Sequence, residues 1–353
     1  MSGFNPLETM FGVNVQCILN LGIPVLTSWM GADLVDNWHP MYFGSPGVYG
    51  QRIANKVLYE ADTVIAIGCR MSAWMVGHTG LRPEQKLIMV DCDWQEVDRN
   101  PGAVWVNEDI GNFIVNLQPA NVPEWVAQCY RWSQAMPLIE ESHRDTEYIN
   151  SYRLMAYING ELRPDEHIVV DTGSLMCPVF QAMRFKPPQR VMTAGCLGEM
   201  GNALPGAVGV SFARGKGEVL AFLGDGGMMM NVQELATIAY HKLPIKMIVF
   251  ANDGYSMIKG TFATVKRERV GVDHKSGLGF PDFGRLAASF GISACNVRTW
   301  DTFKNYFKIM LKHPGPMLME LTIDPEQEFV PRLKPINKDG KITPPRFCDM
   351  SPL

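Results

Sequence analysis

Apolar residues gather in this chain into short unbroken runs, and each run stops at a cluster of glycine and polar residues. The two sharpest are Glu218-Val-Leu-Ala-Phe-Leu223, closed by Gly224-Asp225-Gly226-Gly227, and Ile245-Lys-Met-Ile-Val-Phe-Ala251, closed by Asn252-Asp253-Gly254-Tyr255. Runs of this kind predict strands buried on both faces, as in parallel sheets. Between them, Asn231 to His241 carries apolar residues at 232, 235, 236, 238 and 239, the period of a helix lying on a sheet. The unit therefore reads as strand, turn, helix, strand. Ligands collect at the carboxyl ends of such strands, so Asp225 and Asn252 are expected to face one crevice.

The same pattern recurs upstream. Residues 161–174 read as a Pro-Asp loop, a strand and a polar turn at Thr172-Gly173-Ser174. Before residue 150, the segments 21–31, 44–50, 60–70 and 86–93 alternate strands, glycine turns and helices, which predicts a further sheet. The expected fold class is α/β, with two doubly wound parallel-sheet domains. The first spans 1–120, a linker helix region spans 121–150, the second domain spans 151–330, and a tail covers 331–353. The boundary falls at the Pro-rich stretch 118–123 and the polar stretch 140–147.

Composition narrows the classes. With 46% hydrophobic residues, 353 residues suffice for two ordinary cores. A net charge of −4 gives no nucleic-acid footprint. The 8 cysteines form no Cys-x-x-Cys pair and the 7 histidines show no metal spacing, so neither zinc nor a disulfide framework is indicated. No apolar run reaches the roughly eighteen residues of a membrane span, and no signal peptide is recognised. The cytoplasm is the expected compartment, without membrane contact.

The crevice has its own chemistry. A carboxylate, a carboxamide oxygen and a main-chain carbonyl are hard ligands, suited to Mg²⁺ shared with phosphate oxygens. Glycines beside them let backbone N–H groups approach phosphate at a helix mouth. A lone Gly-Asp-Gly is as readily an ordinary strand-to-helix corner. The second polar turn, at the matching strand end, favours metal plus diphosphate.

Gly224-Asp225-Gly226 followed by Asn252 resembles the cofactor motif of thiamine diphosphate enzymes of the acetolactate synthase type. Residues 230–237 and Lys242-Leu-Pro244 are similar to that family as well, with Ala251 where a first asparagine often stands. The resemblance implies Mg²⁺ held by Asp225, Asn252 and the carbonyl of Gly254. The block 194–209 is similar to the family segment in which a methionine wedges under the cofactor and bends its two rings together. By that likeness Met200 is the wedge, Gly198 offers its carbonyl to the aminopyrimidine, and the Met200 N–H meets the pyrimidine ring. Thr172, Gly173, Ser174, Gly224 and Gly227 would cradle the diphosphate, although Thr and Ser are also common helix caps. Tyr255, Ser256 and Met257 complete the expected cofactor contacts. Tyr255, Met257 and Lys259 are the nearest residues to an acceptor, Lys259 being more ordinarily a solvated surface lysine.

The first domain resembles the family's central domain, which in acetolactate synthases carries FAD. Gly47, Gly50, Gly68, Arg70 and Asp91 match positions near that site, but Met71-Ser-Ala-Trp74 replaces the acidic and basic residues of flavin-binding synthases. Relatives are three-domain chains in which a pyrimidine-binding domain supplies a catalytic glutamate. The expectation is that this domain, and the first strand of the central one, are missing here, with Met1 inside an opening helix over 6–21. A separate pyrimidine-binding subunit would then complete a heterotetramer or larger assembly. Residues 323–333, 338–345 and 349–353 resemble the ends of members from surface-polysaccharide and modified-sugar pathways. Thr261 stands where synthases carry an acceptor-selecting tryptophan, which implies a wider acceptor pocket. The expected activity is decarboxylation of a 2-keto acid such as pyruvate, with transfer of the acyl unit to a second carbonyl, a keto-sugar among them. The alternatives are a non-catalytic regulatory module and a simple 2-keto acid decarboxylase, that is, a lyase.

Overall fold

In the computed structural model, which describes residues 15–195, 197–264, 266–334, 336–338, 341–347 and 349–350, the apolar runs form the strands of separate parallel sheets in two compact units. Both units are α/β, the class the pattern predicts. One unit comprises 1–140, 184–188 and 330–353, and the other comprises 141–183 and 189–329.

The first unit is built on β1 (Thr63–Ile67), β2 (Lys86–Val90) and β3 (Val104–Val106), parallel and in that order. Helix Arg52–Glu60 buries Ile53, Ala54, Val57 and Leu58, the spacing that lays one helix face on a sheet. Asp93 and Asp109 cap the helices after β2 and β3 by accepting the N–H of Gln95 and Asn112. The segment 21–31 does not form the expected strand. Gly22 turns with φ +71°, Val25 makes an isolated bridge to Tyr42, and the chain leaves the extended path at a 3-10 turn, Trp29–Gly31, capped by Ser28. Of the expected opening helix, residues 6–14 lie outside the described residues, and Val15–Leu21 is 3-10 helix. From Val330 the chain returns to this unit, where Leu333, Phe347 and Met350 fill a core with Leu58, Met89 and Val97.

The second unit holds six parallel strands: β4 (His167–Val170), β5 (Arg190–Thr193), β6 (Val219–Gly224), β7 (Ile245–Ala251), β8 (Ser293–Val297) and β9 (Met317–Thr322). Their order is β5-β4-β6-β7-β9-β8. β6 and β7 pair from Val219↔Ile245 to Gly224↔Phe250, which brings their carboxyl ends level. The core between this sheet and its helices includes Val169, Leu204, Leu223, Val249, Phe283 and Leu318, each such buried side chain contributing about 1.5–3 kcal/mol. Lys246, inside the apolar run of β7, is also buried. Its ammonium donates to the carbonyls of His313 and Gly315, which tie down the end of helix Trp300–Lys312.

The helix expected over 231–241 differs in its ends. Gly224-Asp225-Gly226-Gly227 is no turn: Gly224 stays extended and Asp225 opens a helix, Asp225–Met230. That helix breaks at Asn231, whose side chain donates to the carbonyl of Gly201 at 2.8 Å, and a second helix runs Glu234–His241. The acid at the first helical position suits the positive end of the helix dipole.

Candidate functional site

From β4 the sheet extends to β5 on one side and to β6 on the other. Loops leaving such a switch point diverge and open a crevice at the carboxyl ends of the strands. Three strand tips meet there. β4 runs into Asp171–Ser174, β6 into Asp225–Gly227, and β7 into Asn252–Tyr255. Gly198 and Met200 come from the loop before helix Ala203–Ala213.

Asp225 and the β7 tip are joined directly. The Asp225 carboxylate is buried and accepts the N–H of Gly226 at 2.7 Å, of Gly254 at 2.9 Å and of Asn252 at 3.2 Å. Burial pushes its pKa up to about 6, against the lowering effect of these N–H groups and of the Lys259 charge. The Asn252 amide donates to Ser256 Oγ at 2.9 Å and approaches Ser174 Oγ at 3.4 Å, so β4 and β7 tips also meet. Ser174 and Thr172 do not cap the helix Met176–Ala182, which has no side-chain cap.

At Gly226 and Gly254 the neighbours stand close to the backbone. A Cβ on Gly226 would lie 2.3 Å from the Tyr255 ring and 2.9 Å from the Met200 methyl, so these three residues form one contact group. A Cβ on Gly254, whose φ is +115°, would lie 2.0 Å from the carbonyl of Val272, which accepts the Tyr255 N–H at 2.9 Å. Gly198 has φ +68° and faces the Thr172 hydroxyl. Gly173 turns with φ +104°, Met200 is partly exposed, and Met257 lies in the first turn of helix Ser256–Thr264.

Two residues acquire a place that the sequence reading did not give them. Asp171, fully buried, accepts the N–H of Thr172 and Gly201, both at 2.9 Å, with the backbone of Asn202 and Ala203 close enough to favour its charged form. It thereby fixes the start of the helix that follows Met200. Its burial outweighs these bonds and raises its pKa to about 6. The signal was an acid ending an apolar run, Ile168-Val-Val170, the pattern also seen at Asp225. Lys259 is not solvated: it is 3% exposed, and its ammonium donates to main-chain carbonyls of Asn252, Asp253 and Pro325.

In the first unit, the residues matched to a flavin site are engaged otherwise. A Cβ on Gly47 would meet the Trp74 carbonyl at 2.8 Å, one on Gly50 the Gly47 nitrogen at 2.3 Å, and one on Gly68 the Ile110 side chain at 2.6 Å. Arg70 pairs with Glu96 at 3.0 Å, and the Asp91 side chain accepts the Asp93 N–H at 2.9 Å. Close packing accounts for the three glycines, while Arg70 and Asp91 make surface contacts; none of these observations shows a flavin.

Fold and strand order are those of an α/β protein with a crevice at a switch point of its larger sheet. Residues 171–321 match the family described as "Thiamine pyrophosphate enzyme, C-terminal TPP binding domain", and residues 15–117 match "Thiamine pyrophosphate enzyme, central domain". The chain belongs to the thiamine diphosphate-dependent, acetolactate synthase-like family and carries its central and diphosphate-binding domains. It is 28% identical over 352 residues to a probable acetolactate synthase large subunit of Methanocaldococcus jannaschii, covering 93% of this chain and 59% of that one. It is 29% identical to the acetolactate synthase large subunit of Porphyra purpurea (91% and 55% covered) and 27% identical to the isozyme 1 large subunit of Escherichia coli (89% and 56%). The chain thus spans little more than half the length of these relatives. Among the described residues, no helix is long and apolar enough to cross a membrane.

Proposed function

We propose that this chain is the diphosphate-binding subunit of a split thiamine diphosphate-dependent carboligase, a transferase that decarboxylates a 2-keto acid and passes the acyl unit to a second carbonyl. The observation that carries this reading is the buried Asp225 carboxylate, bonded across the strand boundary to the loop that presents Asn252 and Gly254. The donor set fits Mg²⁺. Asn252 turns its amide nitrogen to Ser256 and leaves its oxygen without a donor among the described residues. The Gly254 carbonyl accepts one N–H, from Ser256 at 3.0 Å, and keeps a second lone pair. Asp225, Asn252 and Gly254 would hold the cation.

Thr172, Gly173, Ser174, Gly224, Gly226 and Gly227 would line the diphosphate, where backbone N–H groups at the mouth of helix Asp225–Met230 suit an anion. Met200, Gly198, Tyr255, Ser256 and Met257 would contact the rest of the cofactor. When bound, thiamine diphosphate serves as the electron sink for loss of CO₂ from the keto acid. This chain's part is to bind and orient it and to keep the β6 and β7 tips in register. The proton-relaying carboxylate would come from a separate pyrimidine-binding subunit, in a heterotetramer or larger assembly in the cytoplasm. Support for such a partner is the exposed apolar surface of Leu197, Met200, Met229, Met230 and Ile258. Thr261 turns its hydroxyl onto the Met257 carbonyl at 3.1 Å, so no bulky side chain stands at that helix position, which supports a large acceptor such as a keto-sugar.

Calorimetry of the chain with thiamine diphosphate, with and without Mg²⁺, tests the cofactor reading. Absence of Mg²⁺-dependent binding overturns it. Co-expression with a pyrimidine-binding chain, followed by pyruvate consumption with and without keto-sugar acceptors, tests the reaction. Equal turnover in both cases rejects the acceptor class.

A further inference from the structure

We propose that Lys259 is a positioning residue, whose buried ammonium sets the main chain of Asn252–Gly254 before any ligand arrives. The role as part of a cation site rests on the reading of Asp225 and Asn252 given above. Lys259 Nζ lies 3.3 Å from the Asn252 carbonyl, 3.4 Å from that of Asp253 and 2.8 Å from that of Pro325. An ammonium has three donors and no acceptor, so three carbonyls match its valence. Burying an unpaired cation is costly, and among the described residues no carboxylate forms an ion pair with Lys259. The three carbonyl dipoles compensate it directly, and the Asp225 and Glu326 carboxylates lie close enough for its charge to act on them.

The peptide unit between Asp253 and Gly254 shows what this arrangement does. In a trans peptide the C=O and the N–H point in opposite directions. Here the Asp253 carbonyl meets Lys259 on one side while the Gly254 N–H meets Asp225 Oδ2 at 2.9 Å on the other. Lys259 and Asp225 therefore grip the two ends of one amide. Asp253 has φ +56° and Gly254 φ +115°, conformations that a free loop would leave readily. Pro325, just beyond β9, gives the ammonium its shortest contact and hence a fixed point outside the loop.

The test is hydrogen exchange on the full chain without Mg²⁺ or cofactor, comparing wild type with K259M. Exchange at the Asn252 and Gly254 amides should quicken by about ten- to hundred-fold, as loss of a charge-assisted contact implies, while Phe222 and Ile248 within the strands hold their rates. Mg²⁺ titrated in the presence of thiamine diphosphate should bind K259M more weakly by a similar factor. K259R, which keeps the charge, should recover part of both, and it replaces K259M in the comparison if that variant does not fold. Unchanged exchange at 252 and 254 overturns the proposal. So does uniform loosening of the whole sheet, which marks a merely structural lysine, and so does tighter Mg²⁺ binding, which marks an opposing charge. Local loosening in a chain whose wild type binds no Mg²⁺ upholds the clamp and overturns the cation reading instead.

Discussion

Gly227 lies directly against the Asp171 carboxylate: a methyl group in place of its hydrogen would stand 1.9 Å from Oδ2. Asp171 cannot move aside freely, because the same carboxylate holds the N–H of Thr172 and Gly201. The contact joins the tips of β4 and β6 at the switch point. Gly227→Ala is expected to lower stability by about 1–3 kcal/mol or more, the range of overpacking in a closed site. Thermal unfolding measures it, and an unchanged melting temperature would count against the packing described.

Asp171 also gives stability a pH dependence of unusual sign. Its carboxyl titrates near pH 6 in the folded chain against an ordinary 3.8, because burial disfavours the charge. The folded state thus binds the proton more tightly than the unfolded one. The resulting stabilisation is full below about pH 4 and is lost as pH rises through about 6, for a total near 3 kcal/mol. Relative to the non-titrating Asp171→Asn variant, wild type should therefore lose stability between pH 4 and 7. Parallel denaturation curves across that window would contradict the assignment.

Asp225→Asn keeps the shape of the side chain and removes its charge. Mg²⁺-dependent binding of thiamine diphosphate is expected to weaken at least about a hundred-fold, near 2.7 kcal/mol. The fold should persist, since the carboxamide oxygen can still accept the N–H groups of Asn252 and Gly254. Calorimetry and circular dichroism read the two effects separately.

Gly226→Ala acts on mobile ends rather than on a fixed carboxylate. The added methyl meets the Tyr255 ring and the Met200 terminus, both able to turn away. Fold stability should fall by about 1 kcal/mol, at the low end for such insertions. Cofactor affinity should drop by more than that loss explains, about ten-fold, because Met200 is displaced; equal affinity in wild type and variant would show that Met200 does not touch the cofactor.

The strands were legible because the runs at β6 and β7 are apolar without interruption, and a buried parallel strand leaves little room for any other pattern. Where a single residue decided the local backbone, the pattern said less. Asn231 breaks a helix through a side-chain bond to Gly201, a partner thirty positions away that no window contains. The run 21–31 is apolar enough for a strand, yet its isolated bridge, Val25 to Tyr42, is followed at once by the turn Trp29–Gly31 that Ser28 caps. Asp225 and Asn252 were legible as neighbours since each ends a strand. Asp171 ends one too, but its bonds go to the start of a helix far along the chain. Lys259 was misread because charge predicts exposure unless acceptors are brought to it, and its three come from a loop and from Pro325.

The hydrophobic interior that Leu333, Phe347 and Met350 complete is shared with Leu58 and Met89, synthesised hundreds of positions earlier. Residues 141–329 include all six strands of the larger sheet, so during synthesis that sheet is complete before residues 333–350 reach the core they share with Leu58 and Met89.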